Sequence, residues 1–221
     1  DYEQLVGGVE TLYKDSAAKV QQYAADAYKT SGMTANAYMT TATSYAAALV
    51  SSLGGDTERA AELSNMAVSD MTDNWNKFGS SADSVQDAYN GFAKGQFQLL
   101  DNLKLGYGGT KEEMERLLDD ANKLNAAQGK YTDYSIDSFS DIILAIHDIQ
   151  TEYDITGTTA KEASTTISGS LSAAKAAWAN LVTGVADDNA NFGQLISNFV
   201  DSATTAASNI IPRVEVALNG A

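Results

Sequence analysis

The sequence predicts an all-α protein: a multi-helix bundle with short glycine-rich turns, followed by two longer heptad-patterned helices. Three observations carry this. A single proline stands in 221 residues. Alanine, serine and threonine are plentiful. Apolar residues recur at steps of three and four along most of the chain, the spacing of one helix face rather than the alternation of a strand. Residues 1–155 read as a compact helical bundle. Residues 156–221 read as two long helices that pack on the bundle or run on as a longer helical rod, the whole being one domain or two.

The elements follow in order. Val9, Leu12, Val20, Ala24 and Ala27 share one face, so a first helix is predicted from near Val9 to Thr30, closed by Gly32. Thr34 opens a second, in which Tyr38, Ala42, Tyr45, Leu49 and Leu53 step by three or four until Gly54-Gly55. Asp56 is a natural N-cap for a third, with Leu63, Ala67, Met71, Trp75 and Phe78 inward and Gly79 as its stop. Ser81 caps a fourth, carrying Val85, Tyr89 and Phe92. Gly91 and Gly95 weaken its end.

Asp101 to Leu118 reads as one helix ending, a hinge, and another helix starting. Gly106, Gly108 and Gly109 supply positive φ for the hinge. Thr110 and Glu113 form a T-x-x-E capping box, each side chain satisfying an orphan backbone N–H. Met114, Leu117, Leu118, Ala121 and Leu124 mark this fifth helix. A polar connector from Gly129 to Ile136 leads to a sixth, with Phe139, Ile142, Ile143, Ile146 and Ile149 on its apolar side.

Two longer helices close the chain. Ile167, Leu171, Ala174, Trp178, Leu181 and Val185 step 4-3-4-3-4, a heptad seam introduced by a second T-x-x-E box at Thr159 and Glu162. Phe192, Ile196, Phe199, Ala203, Ala206, Ile210, Val214 and Ala217 repeat the rhythm. Pro212 removes a backbone hydrogen bond to Ser208 and is expected to kink or end the last helix. Packing within one bundle is favoured over self-association through the seams. If Trp178 is a buried seam residue, Trp178→Ala is expected to cost about 3–5 kcal/mol.

Composition excludes several functions. The formal net charge is −15, with 14 Lys and Arg against 29 Asp and Glu. Nucleic-acid binding rests on neutralising phosphates with basic side chains, so direct binding is not expected. The absence of cysteine removes disulfides, zinc knuckles and thiol nucleophiles. No apolar run approaches the roughly 20 residues of a membrane span; Ile142 to Ile146 is interrupted by His147 and Asp148. The chain opens on Asp1, and its last helical pattern runs almost to the end. Both features suggest a piece of a longer protein.

No catalytic, cofactor or metal site is expected. His147 is the one histidine and sits at the edge of an apolar stripe. It is read as a partly buried structural residue, since a general base needs an oriented partner. Asp187 to Gly193 resembles a calcium loop, but Phe192 and Asn198 stand where that loop needs Gly and Glu. It reads as a helix–helix turn whose Asp and Asn residues cap the next helix. Gly106 to Lys111 lacks the glycine spacing of a phosphate loop and follows no strand. Glu112-Glu113, Asp119-Asp120 and Asp187-Asp188 lie at helix starts or on helix surfaces. Adjacent helical residues do not face one another.

The segment from Asp101 to Leu118 resembles the tail tape-measure proteins of long-tailed phages and prophages of Gram-positive hosts. Tyr2 to Ser16, Ser52 to Thr57, Gly157 to Ser164 and Trp178 to Gly184 are similar to the same family, so nearly the whole chain is covered. Each segment is a packing or capping pattern; their order along the chain carries the likeness.

The resemblance implies a non-enzymatic morphogenesis protein that sets tail length and lies in the tail tube lumen of the virion. It passes through the host cytoplasm during assembly and takes part in genome delivery. It also implies the tail tube protein, the tail assembly chaperones and distal tail proteins as partners. A single continuous helix of this size would span roughly 330 Å; the glycine turns predict a folded-back bundle instead. A second reading is a helical interaction domain binding a host or tail partner. An envelope-degrading enzyme would need residues not found here.

Overall fold

The computed structural model describes residues 2–185, 187 and 190–219, with side chains up to residue 216. Among these the chain is all-helical, without strands. The order is α1 (Tyr2–Tyr13), a 3-10 turn (Lys14–Ser16), α2 (Ala17–Thr30), α3 (Ala35–Ser44), α4 (Ala46–Ser52), α5 (Thr57–Phe78) and α6 (Ala82–Phe92). A second 3-10 turn (Leu100–Leu103), α7 (Lys111–Ala127), α8 (Phe139–Glu152), α9 (Thr158–Thr165), α10 (Ile167–Gly184) and α11 (Phe192–Asn219) follow.

Hydroxyl and carboxylate caps set most of the helix starts. Thr34, Asp56, Ser81, Thr110, Ser138 and Thr166 each accept a hydrogen bond from the backbone N–H three residues on. Each thereby satisfies a donor that has no partner inside its helix. Gly79, at φ 64°, ends α5 in the left-handed region where a side chain would be strained.

The long helix α5 is the axis of the bundle. It packs against α1 to α4 at one end and α6, α8 and α9 at the other. Leu63, Ala67 and Met71 are fully buried on it, in one core with Val9, Tyr13, Tyr38, Leu49, Tyr89, Leu117 and Ile146. Tyr13 keeps its hydroxyl satisfied inside that core by donating to the Ala42 carbonyl at 2.9 Å. A second, small core joins Tyr28 of α2 to Ala176 and Ala177 of α10, with Phe199 of α11 against it.

Several elements differ from the sequence reading. The first helix starts at Tyr2 and is broken at Lys14, whose φ of 49° interrupts the ladder. The second is divided at Tyr45. There Thr43 and Ser44 turn their hydroxyls back onto the carbonyls of Met39 and Thr41, a competition that bends helices. A 3-10 turn, not a helix, precedes the Gly106 hinge, and positive φ there belongs to Lys104 and to Gly106, not to Gly108 or Gly109. Gly109 is needed for a different reason: a Cβ would collide with the Gln98 backbone.

Both capping boxes are also rearranged. Thr110 caps Glu113 N at 3.2 Å, but Glu113 reaches back to Gly108 N at 2.9 Å. Thr159 is no cap at all. It lies inside α9, whose first amides are capped from α5 by Asp73. Pro212 does not end α11, which continues to Asn219.

Candidate functional site

Two places in the fold combine chemistry with position: a buried polar node at the centre of α5 and an apolar strip on the last two helices.

The node begins with Asp70, Asp73 and Asn74, which share one face of α5 at the i, i+3, i+4 spacing. Asp70 is 1% exposed. Both its carboxylate oxygens lie 3.0 Å from Nδ1 of His147 on α8. One turn further along α8, Gln150 donates to the Asp70 carbonyl at 3.1 Å and accepts from Asn74 at 2.8 Å. Asn74 also donates to the Leu103 carbonyl at 2.9 Å. Asp73 accepts from the Gly157 amide at 2.6 Å and the Thr159 amide at 2.8 Å. One face of α5 thus ties down α8, the 3-10 turn and the start of α9.

Burial pushes the Asp70 carboxyl up to about 6, against the pull of its bond to His147. His147 is raised above the ordinary histidine value chiefly by its hydrogen bond to Asp70, which outweighs burial of the ring. An Asp–His pair of this kind can orient an imidazole for proton transfer. Here the ring's hydrogen bonds go to Asp70, and no serine or threonine hydroxyl among the described residues is bonded to it. Through Nδ1 the pair ties α5 to α8, and Asp70 is the oriented partner that the sequence did not reveal.

The strip lies on the α10–α11 hairpin. Gly184 meets Leu195 near the turn, Trp178 packs on Phe199 with ring centroids 5.2 Å apart, and Asn209 donates to the Ser164 carbonyl at 3.2 Å at the far end. These contacts fix an antiparallel pair. Ser170, Ala173, Ala177, Asn180 and Gly184 of α10 are buried, Ala177 against Tyr28 of the bundle. Asn180 accepts from the Ala35 amide at 2.9 Å.

Leu171, Trp178, Val182 and Val185 on the opposite side of α10 are exposed, Trp178 by 53%. On α11, Phe192, Ile196, Val200, Ile211 and Val214 are exposed too. At 3.6 residues per turn these five fall within about 100° of one another, beside the face that buries Ser202 and Ala206. Trp178 of the first row touches Phe199 of α11, which is partly buried against Tyr28.

Of the anticipated α10 seam, Leu171, Trp178 and Val185 are exposed, Ile167 and Leu181 are half-buried and Ala174 is buried. Tyr28 packs against Ala176 and Ala177 of α10. Ala217 of the α11 seam, with Asp188 and Asn189 of the 187–193 segment, lies outside the described side chains. Within that segment Asn191 caps the Gln194 amide at 3.1 Å, as a helix-start residue should. A cleft of about 720 Å³ opens between α1, α2 and the start of α11, lined by Glu3, Glu10, Asp26 and Lys29 among others. Asp26 is already paired there with Lys29 at 2.7 Å.

The 106–111 loop has its Gly108 amide filled by the Glu113 carboxylate, which Arg116 and that amide together hold down to about 2. Among the described residues no group of three His, Cys, Asp or Glu is placed to hold a metal ion. No helix there is long and apolar enough to cross a membrane. Comparison with protein-family models, with curated proteins and with solved structures finds no match.

Sequence reasoning placed His147 but missed its partner, 77 residues away on another helix. A signal for Asp70 did exist. It sits three residues after Ala67 and beside Met71, on the side of α5 that has to face the core.

Proposed function

We propose that this chain is a structural, non-enzymatic helical module of a phage-tail tape-measure protein. In this reading its parent sets tail length, occupies the tail tube lumen and takes part in genome delivery. Support comes from the ordered family-like segments along the sequence, set on an all-helical fold.

The observation that carries a docking role is the apolar strip of α10 and α11. Nine large side chains there are exposed. At about 150–250 Å² for each large ring and less for Val and Leu, half exposure amounts to several hundred Å². That is comparable with the roughly 800 Å² one partner brings to a standard interface. The strip also serves the second reading, an interaction domain for a host or tail partner, because it suits an apposed helix equally well.

A deletion of residues 167–219 from the parent gene separates the two. If these residues act as ruler in helical form, tails shorten by roughly 80 Å at 1.5 Å per residue. Tails of unchanged length that fail to deliver their genome would favour the interaction domain. Unchanged length with normal delivery would remove both.

A further inference from the structure

We propose that the Asp70–His147 pair is a proton-dependent clasp: with the His147 ring protonated it holds α8 and the start of α9 on α5, and it loosens as the ring gives up its proton. The inference rests on connectivity. Asp70, Asp73 and Asn74 occupy one face of a single helix, so any shift of Asp70 relative to α8 also moves the Asp73 cap of α9 and the Asn74–Gln150 bond.

The contact itself survives in every protonation state, because either the ring or the carboxyl can supply the hydrogen. What changes is charge. Asp73 on α5 and Asp148 on α8 both act on the pair, and the buried Tyr89 hydroxyl of α6 faces Asp70 and Asp73 without a partner of its own. With His147 protonated, a cation sits among three carboxyl groups. With His147 neutral, an ionised Asp70 keeps the ring's hydrogen bond but is buried beside two further acids without the ring's positive charge.

The sign follows from the shifts. His147 is raised above 6.5, so its contribution is complete below pH 6.5 and is lost as the pH climbs through its higher folded value. Asp70, raised to about 6, acts in the same direction: its contribution is complete below 3.8 and is lost through about 6. The folded pair keeps protons that the unfolded chain would release. Between pH 6 and 9 no other side-chain type with an ordinary titration is present, since the chain has one histidine and no cysteine.

The single histidine makes the test direct. In the whole 221-residue chain, the imidazole proton resonance of His147 is followed from pH 5 to 9 by NMR, alongside amide protection of Gly157 and Thr159 corrected for intrinsic exchange. The expected result is a titration midpoint above 6.5, with both protection factors falling several-fold as the ring deprotonates. Asp70→Asn, of nearly the same shape, should move the midpoint below 6.5 and remove the pH dependence of protection. A wild-type midpoint at or below 6.5 overturns the proposal without any variant. So does protection at Gly157 and Thr159 that stays constant across the titration.

Discussion

The bundle formed by α1 to α9 and the hairpin formed by α10 and α11 use the same helical periodicity and close it in opposite ways. The bundle buries its large side chains: Leu63, Met71, Tyr89, Leu117 and Ile146 are all within 1% of complete burial. The hairpin buries its small ones, Ala173, Ala176, Ala177 and Ser202, and leaves Trp178, Val185 and Ile196 facing out. Full burial of a leucine or phenylalanine is worth about 1.5–3 kcal/mol, and an alanine has much less apolar surface to withdraw from water. The bundle's stability should therefore be dominated by its core. The hairpin should be held by close approach, a few hydrogen bonds and its internal ring contact.

Core truncation should have the largest effect. Leu63→Ala removes a fully buried side chain from the centre of α5, and should lower stability by about 2–5 kcal/mol in urea denaturation. A loss below about 1 kcal/mol would mean that the centre of α5 collapses around the gap, and the contrast with the hairpin would disappear.

Gly169→Ala should come next, and its effect should be local. The chain turns sharply between α9 and α10, and a Cβ at Gly169 would run into the Glu162 carbonyl and the Ala163 amide. Those are backbone atoms that cannot swing aside. A cost of about 1–3 kcal/mol is expected, with faster amide exchange concentrated in α9 and α10. An effect spread evenly over α1 to α8 would show that hairpin and bundle unfold as one unit.

The helical class and many of the helix starts were legible because caps act over three residues and need no tertiary information. Asp56, Ser81 and Thr34 show this. What could not be read depended on distant groups. Asp73 caps α9 from 84 residues away, which leaves the local Thr159–Glu162 pattern unused. Asp70 orients His147 across a similar gap. The α10 seam shows a further limit. Periodicity marks which residues line up on a helix, but whether that line turns inward depends on its neighbour. Here Tyr28 packs on Ala176 and Ala177. The seam was therefore visible as a pattern, while its split between outward Leu171, Trp178 and Val185 and inward Ala174 was not.

Trp178→Ala should have the smallest effect on folding. A buried seam tryptophan would cost about 3–5 kcal/mol on truncation. At 53% exposure, with Phe199 as its aromatic partner, the loss should be about 1 kcal/mol, near the worth of the ring pair alone. Docking reverses the ranking, because a half-exposed tryptophan amid an apolar surface is the kind of residue that anchors an interface. If the strip binds a second copy, light scattering should give a multiple of the 23.3 kDa chain mass, and Trp178→Ala should return it to monomer with folding almost intact. A wild-type monomer unchanged by the substitution would exclude a second copy and leave the strip to a different helical partner. A stability loss of several kcal/mol would instead restore Trp178 to the core and erase the distinction between the two regions.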